Sequence, residues 1–104
     1  MHNAACATGL RNASDGFRGI FQNGGVRNKP IIDIRSALKE GGFDMELTKN
    51  RSGYWYRRGK EEVRIMRRNG QWDIRIRNGH GNYLDEFGNV AGNSQNHNIP
   101  VFSK

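Results

Sequence analysis

The chain of 104 residues holds one cysteine, two prolines and ten acidic residues against seventeen basic ones. Its apolar runs fall far short of the roughly 18 residues that span a bilayer, so no membrane segment is expected. A single cysteine excludes an internal disulfide and nearly excludes a cysteine-based zinc site. Cys6 lies in the small-residue stretch 4–7 and reads as a bland terminal thiol in preference to a nucleophile. The first residues show no basic stretch followed by an apolar one, the pattern of a signal peptide. No HExxH, cysteine pair, tight carboxylate cluster, phosphate loop or dinucleotide fingerprint occurs, and neither a metal nor a cofactor is expected. With 35% hydrophobic residues and fourteen glycines, the core is modest and turns are plentiful. A chain this long makes one domain and buries only about 60–70% of its unfolded surface. Any site is therefore expected in a shallow groove.

The charge that is present is concentrated. Between Lys49 and Arg77 stand Lys49, Arg51, Arg57, Arg58, Lys60, Arg64, Arg67, Arg68, Arg75 and Arg77, opposed only by Glu61, Glu62 and Asp73. That local excess of seven equals the net charge of the whole chain, +7; the remainder is balanced. Eight of the ten are arginine, whose planar fork suits phosphate better than a lysine ammonium does. A localised basic stripe is the electrostatic footprint of a nucleic-acid binder. The plain alternatives are a solvated face or a patch that meets an acidic protein.

The periodicity changes once along the chain. Phe17, Ile20 and Phe21 give one apolar edge to a short helix with Ser14 or Asp15 as cap. Pro30 in a first turn, then Ile31, Ile34, Ala37 and Leu38, with Gly41-Gly42 as the stop, predict a helix over about 30–40. After Gly42 the period is two. Phe43, Met45 and Leu47 alternate with polar residues, and turns at 51–53, 58–60, 68–70, 78–81 and 85–89 separate strands at 54–56, 63–66, 72–77 and 82–84. Helices first and strands afterwards predict an α+β fold. A helical part of about 1–41 packs on a twisted antiparallel sheet of four or five strands over about 42–101. Alternation then sends Met45, Leu47, Val63, Ile65, Trp72, Ile74 and Ile76 to the core. It sends Glu46, Thr48, Arg64, Asp73, Arg75 and Arg77 to the open face, where Arg64, Arg75 and Arg77 together form a candidate phosphate-holding surface; Lys49 and Arg67 are further candidate RNA-binding residues.

Cleaving RNA without a metal needs a base for the 2′-hydroxyl, an acid for the leaving 5′ oxygen, and cations for the charge that develops on phosphate. His97, in the stretch 96–100, is a candidate acid or base or else a surface histidine. His80, between glycines, reads as exposed and inert. Arg64, inside an apolar strand, either holds phosphate or bridges to Glu46 or Asp73. Thr48, beside Lys49, is a candidate phosphate ligand or an ordinary strand residue. Asp33 and Glu46 are the carboxylates best placed to act as a base. Tyr54, Trp55, Tyr56 and Trp72 are either base-stacking platforms or strand packing, with Trp72 favoured for the core and Tyr54 and Tyr56 open.

The run Glu62-Val63-Arg64-Ile65-Met66, then Trp72-Asp73-Ile74-Arg75-Ile76, Gly81-Asn82-Tyr83-Leu84-Asp85, Phe87-Gly88-Asn89 and His97-Asn98-Ile99-Pro100 resembles the ending of many bacterial polymorphic toxin domains. These sit at the C-termini of contact-dependent growth-inhibition and Rhs-type proteins and are similar in fold to barnase and RelE ribonucleases. The resemblance covers roughly residues 42–101. It implies a metal-independent ribonuclease, usually directed at tRNA, that leaves a 2′,3′-cyclic phosphate. It also implies a partner set: tRNA, a cognate immunity protein and, for some toxins of this sort, a host factor such as elongation factor Tu. The domain would be carried on a secreted or cell-surface effector and act in the cytoplasm of the target bacterium. Arg64 and His97 match the motif positions expected to act, with Thr48 at the end of the preceding strand. The chain departs from relatives that place a catalytic His or Glu on an N-terminal helix, since its helix offers only Asp33, Arg35, Lys39 and Glu40. The alternatives are a non-catalytic RNA- or protein-binding module using the same basic face, and a DNA-cleaving toxin.

Overall fold

A computed structural model describes residues 15–22, 24–48, 52–91 and 98–102. Among the described residues two helices, α1 (Asp15–Phe21) and α2 (Ile31–Glu40), precede six strands: β1 (Asp44–Leu47), β2 (Gly53–Arg58), β3 (Glu61–Arg68), β4 (Gln71–Arg77), β5 (Tyr83–Leu84) and β6 (Ile99–Val101). The architecture is α+β, two helices packed on one antiparallel sheet, as the change of period predicts. The strands run in chain order from β1 to β5. The far side of β4 is shared, with β5 pairing at Ile76 and Arg77 and β6 at Trp72–Ile74.

Turn chemistry explains the order. Asn69 and Gly70 both adopt positive φ, 52° and 78°, which a two-residue type I′ hairpin requires and Asn-Gly supplies most readily. That turn pairs Arg68 with Gln71 and sets the whole β3–β4 register. Helix α2 opens after Pro30, whose extended φ and ψ suit the cap position. It closes at Gly41, whose N–H donates to the Ala37 carbonyl at 2.9 Å.

The core lies between the helices and one face of the sheet. Phe17, Ile20, Ile34 and Leu38 from the helices meet Val63, Ile65, Ile74, Ile76 and Leu84 from the strands, all fully buried. The ring of Phe17 stacks on Phe43 at 5.2 Å between centroids. Fully burying one such aliphatic side chain stabilises by about 1.5–3 kcal/mol, so this layer decides which sheet face is covered and which is left open.

The alternation of faces holds in register, with one difference in burial and one in the number of strands. Met45 and Leu47 do lie on the helix side, opposite Tyr56 and Tyr54, yet they are 42% and 52% exposed. The helices cover the middle strands, and β1 is the edge beyond their reach. The second difference is an additional strand, β6. Its Pro100 pairs with Asp73, and an edge position tolerates a residue that has no N–H to give to the ladder.

Candidate nucleic-acid interface

Partners directly opposite across paired strands share a face, so the register alone composes the open side. Glu46, Trp55, Arg64 and Arg75 form one row across β1 to β4. The next row is Asp44, Arg57, Glu62, Arg77 and Tyr83. The second row alternates in sign and is self-compensating. The first is not, because Arg64 stands directly opposite Arg75, and like charges so placed repel.

Neighbouring groups hold these two arginines without neutralising them. Arg75 Nε donates to Asn98 Oδ1 at 3.1 Å, which ties β4 to the residue just ahead of β6. Arg64 reaches Glu62 only at 3.8 Å, and its side chain is 47% exposed. Its guanidinium carbon also lies 4.6 Å from the centroid of the Trp55 ring, and that of Arg57 lies 4.3 Å from it. Arg75 and Arg77 flank the ring of Tyr83 at 5.6 and 5.5 Å, and Arg77 Nε donates to the Gly81 carbonyl at 3.3 Å.

Two grooves meet at Arg64. On the β6 side a small depression of about 180 Å³ is lined by Arg64, Met66, Arg68, Asp73, Arg75 and Asn98. On the β1 side a larger one of about 530 Å³ is lined by Glu46, Leu47, Thr48, Ser52, Trp55, Arg64 and Met66. In the first, Asp73 is held loosely by Arg68 at 3.5 Å. In the second, Glu46 accepts from Arg57 Nη2 at 2.6 Å, and the Thr48 and Ser52 hydroxyls are 3.4 Å apart. Trp55 Nε1 is closed off from solvent and donates to no group among the described residues. An orphaned donor of that kind costs about 1–3 kcal/mol.

The residues singled out from sequence separate into three sets. Arg64, Arg75, Arg77 and Thr48 come together on the open face. Tyr54, Tyr56, Arg67 and Asp33 do not join them. Tyr54 and Tyr56 pair with Ile65 and Val63 on the helix side. Tyr56 is buried and accepts from Arg35 Nε at 2.8 Å, a bond that raises the Arg35 pKa above its ordinary value. Tyr54 stacks on Trp72 at 6.1 Å beneath the Arg35 guanidinium. Both tyrosines are packing residues of the covered side and not base platforms of the open one. Arg67 pairs with Trp72 and so has the same parity as Val63 and Ile65, facing away from Arg64. Asp33 is exposed on α2 and borders a depression with Lys29 and Arg27, across the sheet from the arginine pair. There it partly offsets the burial that lowers the Lys29 pKa. As a base for chemistry at Arg64 it is in the wrong place.

His97 and Lys49 lie outside the described residues, as does Cys6. His80 is exposed in its turn, where the buried Asn78 side chain accepts from the His80 and Asn82 N–H groups, each at 3.0 Å. Among the described residues no group of three His, Cys, Asp or Glu side chains is placed to hold a metal ion, and no helix is long and apolar enough to cross a membrane. The sequence places Asp73 on the open face only as a possible bridge partner of Arg64, counts Trp55 among four aromatic stacking candidates, and assigns Asn98 no role. Parity carried the signal for Asp73, which alternates in step with Arg75 and Arg77. Comparison with known proteins finds no matching family model, curated protein or solved structure.

Proposed function

We propose that the open face is the cleavage surface of a metal-independent ribonuclease, with the scissile phosphate held between Arg64 and Arg75. The observation that carries this reading is the directly opposed arginine pair. Folding gains nothing from two like charges set across a ladder, whereas an anion between them turns the repulsion into two charge-assisted hydrogen-bonding partners.

Two further features support chemistry as well as binding. Asp73 shares the smaller groove with both arginines and serves as the general base that takes the 2′-hydroxyl proton. The oxygen so activated attacks phosphorus, forms a 2′,3′-cyclic phosphate and expels the 5′ oxygen. His97 immediately precedes Asn98 in the chain and, as the acid, protonates that leaving oxygen. The arginines stabilise the charge that builds on the phosphate oxygens as the bonds exchange.

Toxicity, a preference for tRNA, action inside a target bacterium, neutralisation by an immunity protein and assistance from a translation factor extend this reading along the motif resemblance of residues 62–100. The test is incubation of the purified chain with total bacterial RNA and with plasmid DNA, with and without EDTA, in buffer and in cell extract. RNA cut to cyclic-phosphate ends in EDTA, with plasmid intact, is the expected result. RNA left intact in extract overturns the proposal and leaves a binding module on the same face. Cleavage of plasmid instead identifies a DNA-cleaving toxin.

A further inference from the structure

We propose that the groove on the β1 side of Arg64 is a nucleobase pocket that selects bases carrying an exocyclic amino group over uracil. The proposal rests on the ribonuclease reading above for the origin of its ligand, a nucleotide whose phosphate sits at Arg64. The pocket itself is argued from its own lining.

Its volume, about 530 Å³, falls within the range of about 300–1,000 Å³ of small-molecule sites. Arg64 borders both grooves, so a phosphate on its β6 side leaves the attached base to fall on its β1 side. There it meets an aromatic and cationic surface. Trp55 lies opposite Arg64 in the ladder, with the guanidinium of Arg64 against its ring, and unpaired bases stack on indole rings and guanidinium planes alike.

The polar groups set the selection. Glu46 lies opposite Trp55 in the same row. One of its oxygens, Oε1, accepts from Arg57, and an ionised carboxylate has further acceptor capacity on its other oxygen. A carboxylate is acceptor-only, so it favours a base edge that presents an amino donor, as cytosine, adenine and guanine do. Uracil offers it one N–H flanked by two carbonyl oxygens, which the carboxylate repels. The Thr48 and Ser52 hydroxyls, which also line the groove, supply the complementary donor to a base acceptor, since a hydroxyl can donate or accept.

The test uses the full chain carrying Trp72→Phe, in which Trp55 is the only indole, titrated with the 3′-monophosphates of adenosine, cytidine, guanosine and uridine. Inorganic phosphate is the control. Saturable quenching of Trp55 fluorescence by the three amino-bearing nucleotides, with uridine monophosphate at least about tenfold weaker, is expected. Glu46→Gln should remove most of that tenfold difference while phosphate still competes for binding. Equal affinity for all four nucleotides, or an undiminished preference in Glu46→Gln, overturns the pocket. If Trp72→Phe unfolds the chain, the same affinities are read by calorimetry on the unsubstituted protein. The outcomes separate the two proposals. Selective nucleotide binding without RNA cleavage sinks the nuclease and keeps the pocket, and cleavage without selective binding does the reverse.

Discussion

Replacing Arg64 and Arg67 one at a time separates the two sides of the sheet in a single measurement. They lie three residues apart on the same strand and carry the same charge, and the register points them to opposite faces. Removing either lowers the net charge by one, so long-range electrostatics changes equally in both. Contact with phosphate does not. Each phosphate neutralised on a single strand contributes about 0.7 to the slope of log affinity against log salt. If Arg64, Arg75 and Arg77 each engage one phosphate, the unsubstituted chain should show a slope of about −2 from these three alone. Arg64→Ala should reduce its magnitude by about 0.7, and Arg67→Ala should leave it unchanged within error. Both side chains are exposed, so neither change should destabilise the chain by more than about 0.5 kcal/mol. The assay is fluorescence anisotropy of a labelled 2′-O-methyl oligoribonucleotide, which cannot be cleaved, over a series of potassium chloride concentrations. Equal slopes for the two variants would refute the assignment of the open face, and a flat slope for the unsubstituted chain would remove phosphate contact altogether.

Two further substitutions test the base and the scaffold. Asp73→Asn keeps the shape and the Arg68 neighbour while removing the carboxylate; cleavage should fall by about 10²–10⁴-fold with oligonucleotide affinity little changed, and a variant of undiminished rate would return the base to another residue. Gly53 sits where β2 crosses β3 so closely that an added Cβ would collide with the backbone carbonyl of Ile65; Gly53→Ala should destabilise by about 1–3 kcal/mol through this overpacking, seen as a lower urea midpoint, and an unchanged midpoint would mean that the two strands separate easily there.

Much of the fold was legible because local signals agreed with each other. Asn69-Gly70 specifies a turn type and thereby a register, and the spacing of Ile31, Ile34 and Leu38 specifies the buried face of α2. Parity in β3 and β4 was equally explicit, and it already placed Arg67 with Val63 and Ile65, away from Arg64. Grouping it with the phosphate ligands followed its charge and overlooked its position. The aromatic run in β2 is a different case. Tyr54, Trp55 and Tyr56 offer no polar alternation, so nothing local says which one turns outward; only pairing with β3 sends both tyrosines inward and Trp55 out. β6 escaped because three residues containing a proline carry no strand signal of their own. It exists because β4 has an edge left uncovered where β5 stops. The role of Asp73 needed that strand too, since Asn98 at its start completes the groove in which the carboxylate sits.

The opposed arginines make a prediction that concerns folding and function together. A pair of like charges directly across a ladder destabilises by about 0.2–1 kcal/mol, and the alternating row beside it shows that this sheet otherwise balances its charges. A double-mutant cycle with Arg64→Gln and Arg75→Gln isolates that term, because losses such as the Arg75–Asn98 bond or the Arg64–Trp55 contact occur in the single variants and cancel in the coupling. At low ionic strength the coupling should be repulsive by about 0.2–1 kcal/mol. Added phosphate or sulfate should reverse its sign, since an anion held by both side chains is lost when either is removed. Potassium chloride, which only screens, should carry it toward zero and no further. A coupling that is attractive without added anion would mean that the chain already holds the pair together by its own groups. The reason for placing the scissile phosphate between them would then be gone.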